Sequence, residues 1–232
     1  MKIETIAIIA AAFAALPAQA QVLNGDFSSG LTSWTPLGDV SVQSGAAFLT
    51  TASVTFEDDA PALAGAFNFS GTAAADSTNI LDTFSNLSVG ALDPDAGSLI
   101  YAYEGSALKQ SFTVAAGDVI SFQWQFLTND PLADYAYVVI NGTKTDLGQA
   151  SLAGTPSSPF AFESGVNTFF SQVFPSAQTV DFVVGVVDVN DFNGTTALQF
   201  DNVQIVPEPS TAMLALVGLL GLAGRRRSNE RK

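Results

Sequence analysis

The sequence predicts an all-β protein built as an antiparallel two-sheet sandwich. Three observations support this fold class: several short runs alternate large apolar with polar residues, turn signals separate these runs, and no convincing amphipathic helix interrupts them. Alternation with a period of two places one side of a strand in a core and the other in water. Two sheets that face each other bury strands of this kind, so a sandwich follows.

Two of the alternating runs flank a turn in the middle of the chain. Large apolar residues share one parity in Gln110–Val114 and again in Ile120–Phe126. The intervening Ala115–Asp118 has the composition of a turn, so we expect the two strands to form a hairpin. Trp124 alternates with glutamines and is therefore expected in the core.

A second hairpin and a buried strand follow. Tyr135–Asp146 is predicted to be a hairpin, because Asn141-Gly142 supplies two residues that readily adopt positive φ angles. Val180–Val189 is nearly continuous in β-branched residues. Such a run is typical of a strand that is covered on both faces.

The N-terminus has the pattern of a secretory signal peptide. Lys2 precedes an apolar stretch, Ile6–Leu16, which is too short to span a bilayer comfortably. Ala18 and Ala20 are small residues that suit a signal peptidase, so we expect cleavage after Ala20. A retained anchor helix is the alternative. Residues 1–20 are thus predicted to be an export signal, and the remainder to mature outside the cytoplasm.

The C-terminus combines three features in a fixed order: Pro207-Glu208-Pro209, the apolar stretch Thr211–Gly224, and the arginines Arg225, Arg226 and Arg227. As a helix, the apolar stretch would extend about 21 Å, which is short of the roughly 30 Å hydrocarbon core. The arginines favour the cytoplasmic side, so we expect transient membrane insertion with the preceding domain outside. The two prolines present an extended backbone that a processing enzyme could grip.

Residues 206–227 therefore resemble the PEP-CTERM sorting signal of Gram-negative bacteria. The resemblance implies recognition and cleavage at the inner membrane by an exosortase, a membrane cysteine protease, and a final place at the cell surface or in the extracellular matrix. Proteins that carry this signal typically accompany exopolysaccharide and biofilm matrix. A chance Pro-Glu-Pro before an ordinary short membrane anchor is the alternative.

Residues 21–206, between the two signals, are enough for one domain with a sizeable core. Of the 22 acidic and 8 basic residues in the chain, this part keeps 19 acidic residues against only Lys109 and Lys144, a net charge of −17. Such a charge repels phosphate backbones and anionic lipids, so we predict no nucleic acid partner, and it favours cations. The chain contains no cysteine, so the fold has no disulfide framework.

Several segments resemble the jelly-roll, galactose-binding-like modules found among carbohydrate-binding domains and many PEP-CTERM carriers. Asn24–Phe27, followed by Trp34-Thr35, looks like the first strand of such a module, and Leu198–Val203 looks like the last. Gln110–Asn129 is similar to the middle segment. In the last strand the apolar parity changes at Asp201-Asn202, which indicates a β-bulge.

The same resemblance implies a structural calcium ion that joins the first and last strands. An aspartate at the position of Asp201 is often a ligand there, with a further acid just after the Asn-Gly-x-Phe motif, where this sequence has Ser28. Asp26 or backbone carbonyls are the substitutes, because calcium accepts about six to eight flexible oxygen ligands. The alternative is that Asp201 only hydrogen-bonds a turn. The acidic stretch from Asp188 to Asn193 lacks the spacing of an EF-hand loop and is interpreted as a solvated turn.

The chain has neither histidine nor cysteine, which excludes the Ser-His-Asp, Cys-His and histidine-ligated metal sites of common hydrolases. A glycosidase needs only two carboxylates, but no local motif supplies a recognisable pair, so we predict that the protein is not an enzyme. Two classes remain: a matrix or surface protein with a structural or adhesive role, and a carbohydrate-binding module for exopolysaccharide. For the second class, Tyr101 and Tyr103 share one face of a short strand and are the predicted platforms for sugar rings.

Overall fold

The computed structural model describes residues 21–55, 59, 61–94, 97, 99–130 and 134–207. The predicted signal-peptide and sorting-signal residues Ala18, Ala20, Glu208, Pro209, Arg225, Arg226 and Arg227 lie outside this part of the chain. Within these ranges, we find no helix that combines the length and the apolar character needed to cross a membrane.

The described chain is built mainly of strands, with helical turns at Ser77–Leu81, Asp82–Phe84 and Ala150–Leu152. In chain order the strands are β1 (Thr35–Leu37), β2 (Asp39–Gln43), β3 (Ala46–Thr50), β4 (Ala75–Asp76), β5 (Ala102–Val114), β6 (Asp118–Thr128), β7 (Tyr135–Ile140), β8 (Thr143–Gln149), β9 (Thr155–Pro156), β10 (Phe162–Glu163), β11 (Asn167–Phe170), β12 (Gln178–Val189) and β13 (Thr196–Pro207).

These strands form two antiparallel sheets, which confirms the predicted all-β sandwich. Sheet A has the order β1-β5-β12-β7-β8, with β4 also paired to β5. Sheet B has the order β2-β3-β13-β6-β10-β9, with β11 also paired to β6. Along the chain, β5 lies in sheet A, β6 in sheet B, the hairpin of β7 and β8 in sheet A, β9 to β11 in sheet B, β12 in sheet A and β13 in sheet B. The chain thus crosses repeatedly between the two sheets, as in a jelly roll.

Aromatic rings fill the space between the sheets. The ring centroid of Phe122 lies 5.6 Å from that of Phe182 in sheet A and 5.8 Å from that of Phe200 in its own sheet. Trp34 packs edge-on against both Phe182 and Phe200. Trp124 is buried in the same cluster, as predicted. Each fully buried side chain of this size stabilises the fold by roughly 1.5–3 kcal/mol.

β12 is an inner strand of sheet A and is buried on both faces, as its sequence predicts. The even-numbered valines of the strand belong to the inter-sheet core, whereas Val183 and Val187 belong to a second cluster on the outer side. Leu81 and Leu92, from the chain between β4 and β5, are fully buried in that second cluster. This segment of chain is therefore the cover that lets both faces of β12 be apolar.

β6 is an inner strand of sheet B, but its two faces differ. Phe122 and Phe126 point into the core, whereas Gln123 is exposed and Gln125 is half-buried. Near the end of the strand, Leu127 is covered by a small outer cluster that contains Phe160. The outer face of sheet B is thus open around Gln123 and Gln125.

The predicted hairpin between Gln110–Val114 and Ile120–Phe126 is wrong. β5 pairs with β1, β4 and β12 in sheet A, whereas β6 pairs with β10, β11 and β13 in sheet B. The turn between them crosses from one sheet to the other, held where Gly117 N donates to Phe174 O at 2.8 Å. Facing strands alternate in the same way as paired strands, because both turn one side to the core, so the pattern did not separate the two arrangements.

The second predicted hairpin is confirmed. β7 and β8 pair from Ile140 opposite Thr143 onwards, and the turn residues Asn141 and Gly142 have φ angles of 50° and 76°. Positive φ at both central positions matches the right-handed twist of the two strands.

Asn24–Phe27 was expected in a first strand but forms turns instead. The Asn24 amide accepts a hydrogen bond from Ser29 N at 3.0 Å and donates to Gly30 O at 2.8 Å, which folds the segment back on itself. Side chain to backbone bonds of this kind compete with strand pairing. The turn still contacts the last strand, because Val203 N donates to Gly25 O at 2.9 Å.

The bulge predicted in the last strand is confirmed. The pairing of β13 with β6 shifts between Asp201 and Gln204, and Asn202 has a φ of 57°. Before the shift Phe200 points into the core, and after it Val203 does. The bulge places two residues of β13, Asn202 and Val203, opposite one residue of β6, and this one extra residue explains the change of apolar parity.

The interpretation of Asp188–Asn193 as a solvated turn is wrong for its first residue. Asp188 lies in β12 and is 1% exposed. The remainder is a turn, in which Asn193 N donates to the Asp191 carboxylate at 2.8 Å. A polar residue at the end of an apolar strand and one in the following turn look alike in the sequence.

Candidate functional site

A groove of about 790 Å³ lies on the open outer face of sheet B. Its walls are the N-terminal turn, the adjoining strands β6 and β11, and the bulged part of β13. Hydrogen-bonding side chains and one large ring line it: Asp26, Gln123, Thr168, Phe170, Asn202 and Gln204. We call this feature the bulge groove.

Strand parity explains why these side chains reach the bulge groove. In β11 the ring of Phe169 packs inward on Phe122, with a centroid distance of 4.9 Å, so its neighbours Thr168 and Phe170 face outward. Phe170 is 62% exposed, which is unusual for so large an apolar side chain on a paired strand. The ring is therefore available to a ligand.

The bulge holds the opposite wall in place. Asn202 Nδ2 donates to Gln123 Oε1 at 3.0 Å, across the pair of strands β6 and β13. Because this bond uses the amide oxygen of Gln123, the NH₂ group of Gln123 is left to donate to a ligand in the bulge groove. The bond also fixes the rotamers of both amides, which lowers the entropy cost of binding.

Polar side chains continue along the same face. A smaller depression of about 80 Å³ shares Gln123 with the bulge groove and adds Gln125, Gln199 and Asp201. Gln125 lies directly opposite Gln199, and Gln123 opposite Asp201, in the pairing of β6 with β13. The outer face thus carries a row of polar side chains that continues from the bulge groove into this depression.

Asp26 and Asp201, the predicted calcium ligands, lie on this same side of the domain. Asp26 is exposed, and the backbone N–H of Ser28, at 3.2 Å, lowers the pKa of its carboxyl. Partial burial raises the pKa of Asp201, and the charge of Asp26 raises it further. The two carboxylates therefore lie within electrostatic reach of each other.

Each of these carboxylates also has a local hydrogen bond. Asp26 accepts from the Ser28 hydroxyl at 2.9 Å, and Asp201 accepts from Asn202 N at 2.6 Å. In the ranges that the structure covers, no three acidic side chains are arranged to hold a metal ion. Calcium at Asp26 and Asp201 stays a prediction, beside the alternative of a hydrogen-bonded turn.

The predicted sugar platforms Tyr101 and Tyr103 lie elsewhere, where β5 begins. Tyr101 is 37% exposed, and its carbonyl accepts from Asn190 N at 3.0 Å. Tyr103 is half-buried and packs edge-on against the exposed ring of Phe192, with centroids 4.9 Å apart. Their role in sugar binding stays a prediction.

Sequence reasoning missed most residues of the bulge groove. Gln123 and Gln125 served only to identify the polar face of a strand, and Phe170 lies in the doublet Phe169-Phe170, where nothing in the sequence says which ring is outside. Thr168 and Phe170 share one parity, and this signal would have marked Phe170 once Phe169 was placed in the core.

One comparison with known proteins identifies the C-terminus. The PEP-CTERM protein-sorting motif matches residues 206–227, which confirms the predicted sorting signal. Of its proline pair, only Pro207 lies in the part that the structure covers, where it ends β13 opposite Asp118. The motif marks the chain as an exported protein that is sorted by an exosortase and processed at the membrane.

No curated protein matches the chain. Among solved structures, it is similar to TmCBM61 in complex with β-1,4-galactotriose, at 9% identity and a TM-score of 0.39 over 82% of this chain and 100% of that one. It is similar to a CBM4 structure at 13% identity and a TM-score of 0.28, over 80% and 98% of the two chains. It is also similar to the enzymatically active domain of tailspike protein 4 of bacteriophage CBA120, at 10% identity and a TM-score of 0.31, over 80% of this chain and 21% of that one.

Proposed function

We propose that the protein is an exported cell-surface or matrix component that binds a neutral polysaccharide in the bulge groove. The observation that carries the proposal is the exposed ring of Phe170 opposite a wall of fixed amides. A sugar ring presents C–H groups on its face and hydroxyls around its edge. An aromatic ring matches the face, and amide groups match the edge.

The charge of the domain favours a neutral polymer over an acidic one. The described ranges contain only two basic residues, Lys109 and Lys144, and both lie in strands of sheet A. Asp26 and Asp201 lie beside the bulge groove. A polymer that carries carboxylates would be repelled at this face, whereas hydroxyl groups can donate to these acids.

The sorting motif supports a location outside the cell, where binding to a polysaccharide would be useful. A protein delivered outside the cell and fixed to an exopolysaccharide would act as a structural or adhesive part of a biofilm matrix. We propose a role in binding without catalysis. A glycosidase would need one carboxylate as an acid and another as a base or nucleophile, and no local motif in the sequence supplies a recognisable pair.

Native gels cast with soluble polysaccharides test the proposal. We expect neutral glucans, galactans or mannans to retard the full chain, and alginate, which is anionic, not to retard it. Phe170→Ala should abolish most of the retardation, because an aromatic platform contributes roughly 0.5–1.5 kcal/mol, or up to about tenfold in affinity. Gln123→Ala should weaken it less.

Tyr101→Ala and Tyr103→Ala are the matched aromatic variants at the other end of the sandwich. Retention of retardation in these two variants, together with its loss in Phe170→Ala, would support the bulge groove. The reverse result would assign the sugar site to Tyr101 and Tyr103. If none of the polysaccharides retards the protein, the remaining class is a structural or adhesive protein that does not bind glycans.

A further inference from the structure

Two carboxylates are buried between the sheets, where β12 ends and β7 begins. Asp188 lies one residue before the end of β12, opposite Glu104 of β5, and Asp134 directly precedes β7. Asp188 is 1% exposed and Asp134 is 0% exposed. We call Asp134 and Asp188 the buried acid pair. The bulge groove lies nearer the opposite end of the sandwich, so the two features use different residues.

The hydrogen bonds of the pair are unequal. One oxygen of Asp134 accepts from Val189 N at 2.9 Å, and the other accepts from the Thr196 hydroxyl at 2.5 Å. Asp188 Oδ1 has no hydrogen-bond partner among the residues that the structure describes. A buried carboxylate oxygen without a hydrogen-bond partner destabilises the fold by about 1–3 kcal/mol or more. A ligand bound to this oxygen would remove that cost.

Strand parity places this oxygen between the sheets. Asp188 has the same parity as Val184 and Val186, which belong to the inter-sheet core. From sheet B, Thr196 has the same parity as the core residues Leu198 and Phe200. Asp134 bonds both to Thr196 and to the residue after Asp188, so all three side chains face one small region.

The residues that the structure describes supply no positive charge there. The described ranges contain no arginine or histidine. Lys109 lies over the ring of Phe84, and Lys144 pairs with Asp146, both away from the inter-sheet space. Burial raises the pKa of both acids of the pair, and the charge of Asp134 raises the pKa of Asp188 further. The two carboxylates therefore need either protons or a cation from outside.

We propose that the buried acid pair binds a calcium ion that links the end of β12 to the segment before β7. Asp188 Oδ1 supplies a ligand, and Asp134 and the Thr196 hydroxyl supply further oxygens. Ligands that are all oxygen select hard cations, and calcium accepts the irregular shells that magnesium rejects. Because no three acids of the described chain converge on one point, main-chain and water oxygens complete the shell.

A calcium ion at the buried acid pair would link elements of both sheets. β12 and β7 belong to sheet A, and Thr196 begins β13 of sheet B. An ion that binds only the folded chain stabilises it by about 2.7 kcal/mol at 100 times its dissociation constant. For a domain of this size, that amounts to a rise in Tm of roughly 5–10 °C.

The test is the Tm of the full chain at pH 7 in EDTA and in millimolar calcium, the range of extracellular calcium modules. At about ten times a dissociation constant in that range, we expect calcium to raise the Tm by roughly 3–6 °C. Asp188→Asn should lose most of this rise, and its Tm in EDTA should equal or exceed that of the parent, because the variant removes a buried charge and keeps the shape. Loss of the calcium effect therefore cannot be confused with loss of the fold.

Asp201→Asn is the matched control, because it removes a carboxylate at the surface position where calcium was predicted from the sequence. Terbium, added alone in place of calcium, gives a second readout. We expect terbium luminescence excited through the nearby tyrosines of the parent to be lost in Asp188→Asn. The proposal is overturned if Asp188→Asn keeps the full rise in Tm, or if the parent shows none, whatever Asp201→Asn does.

Discussion

The outer face of sheet A carries valines and tyrosines beneath a segment of chain, whereas the outer face of sheet B carries glutamines in water. Val183 and Val187 are fully buried on the first face, and Gln123 is exposed on the second. Both faces belong to inner strands of the same sandwich. The polar side chains on the outer face of sheet B allow that face to stay in water and open to a ligand. The apolar outer face of sheet A must instead be covered by another segment of the chain.

Removing part of the cover of sheet A should have the largest effect. Leu92 is fully buried in the outer cluster, so Leu92→Ala should lower the free energy of unfolding by about 3 kcal/mol. Gln125→Ala, on the open face of sheet B, should change it by less than about 0.5 kcal/mol. Urea unfolding of both variants measures the contrast, and similar losses would contradict the assignment of the two faces.

The phenol of Tyr137 lies beneath the same cover of sheet A, and it predicts that the free energy of unfolding depends on pH in the alkaline range. Tyr137 is fully buried, and burial raises the pKa of its phenol, although the Ser85 hydroxyl at 2.8 Å partly opposes this. The folded protein keeps this proton at a pH where the unfolded chain, with a phenol pKa of about 10, loses it. The unfolded chain then binds fewer protons, so the contribution of Tyr137 to stability is constant below about pH 10 and falls by about 1.4 kcal/mol per pH unit above it.

Tyr137→Phe isolates this contribution. The variant should lose about 1 kcal/mol at neutral pH, because the Ser85 hydroxyl loses its partner, and its stability should fall less steeply between pH 10 and 11.5. Urea unfolding at several pH values gives both quantities. An unchanged slope would mean that the phenol of Tyr137 is not buried in solution.

On the open face of sheet B, we expect a smaller change in stability from substitutions at Asn202 in the bulge. Two variants at this position distinguish the contribution of the backbone conformation from that of the side-chain amide. Asn202 has a φ of 57°, which glycine adopts without strain and alanine does not. Asn202→Ala should therefore be less stable than Asn202→Gly by about 1 kcal/mol. Both variants remove the amide that fixes Gln123, so both should weaken polysaccharide binding by a similar factor, about fivefold.

Thermal unfolding and gel retardation of the same two variants provide the measurement. Equal stabilities would show that Asn202 does not adopt positive φ, and the bulge would then not hold the wall of the bulge groove as described. A binding loss in Asn202→Ala alone would indicate that the shape of the bulge matters more than the amide.

Elements with a strong local signal were predictable from the sequence. The hairpin at Asn141-Gly142, the doubly covered β12 and the bulge at Asp201-Asn202 each depend on neighbouring residues: turn chemistry, composition of a run, and a break in parity. The pairing of β5 was not predictable in this way, because its partners β1 and β12 lie far along the chain. The turn at Asn24 was not predicted, because the Asn24 side chain makes hydrogen bonds that compete with backbone pairing in a strand.

The candidate site was predictable only in part. Asp26 and Asp201 were expected as calcium ligands because of a family resemblance, and this stays a prediction, although the two carboxylates lie within electrostatic reach of each other. The role of Phe170 depends on Phe169 taking the inward position, and the burial of Asp188 depends on where β12 ends. Both are decided by packing between distant segments, which no local pattern contains.

Gln21 and Val206 both line the bulge groove. The chain thus enters and leaves the sandwich at one place, and the sorting signal joins the domain beside that place. A polymer strand lying there would run past the junction that the exosortase must reach.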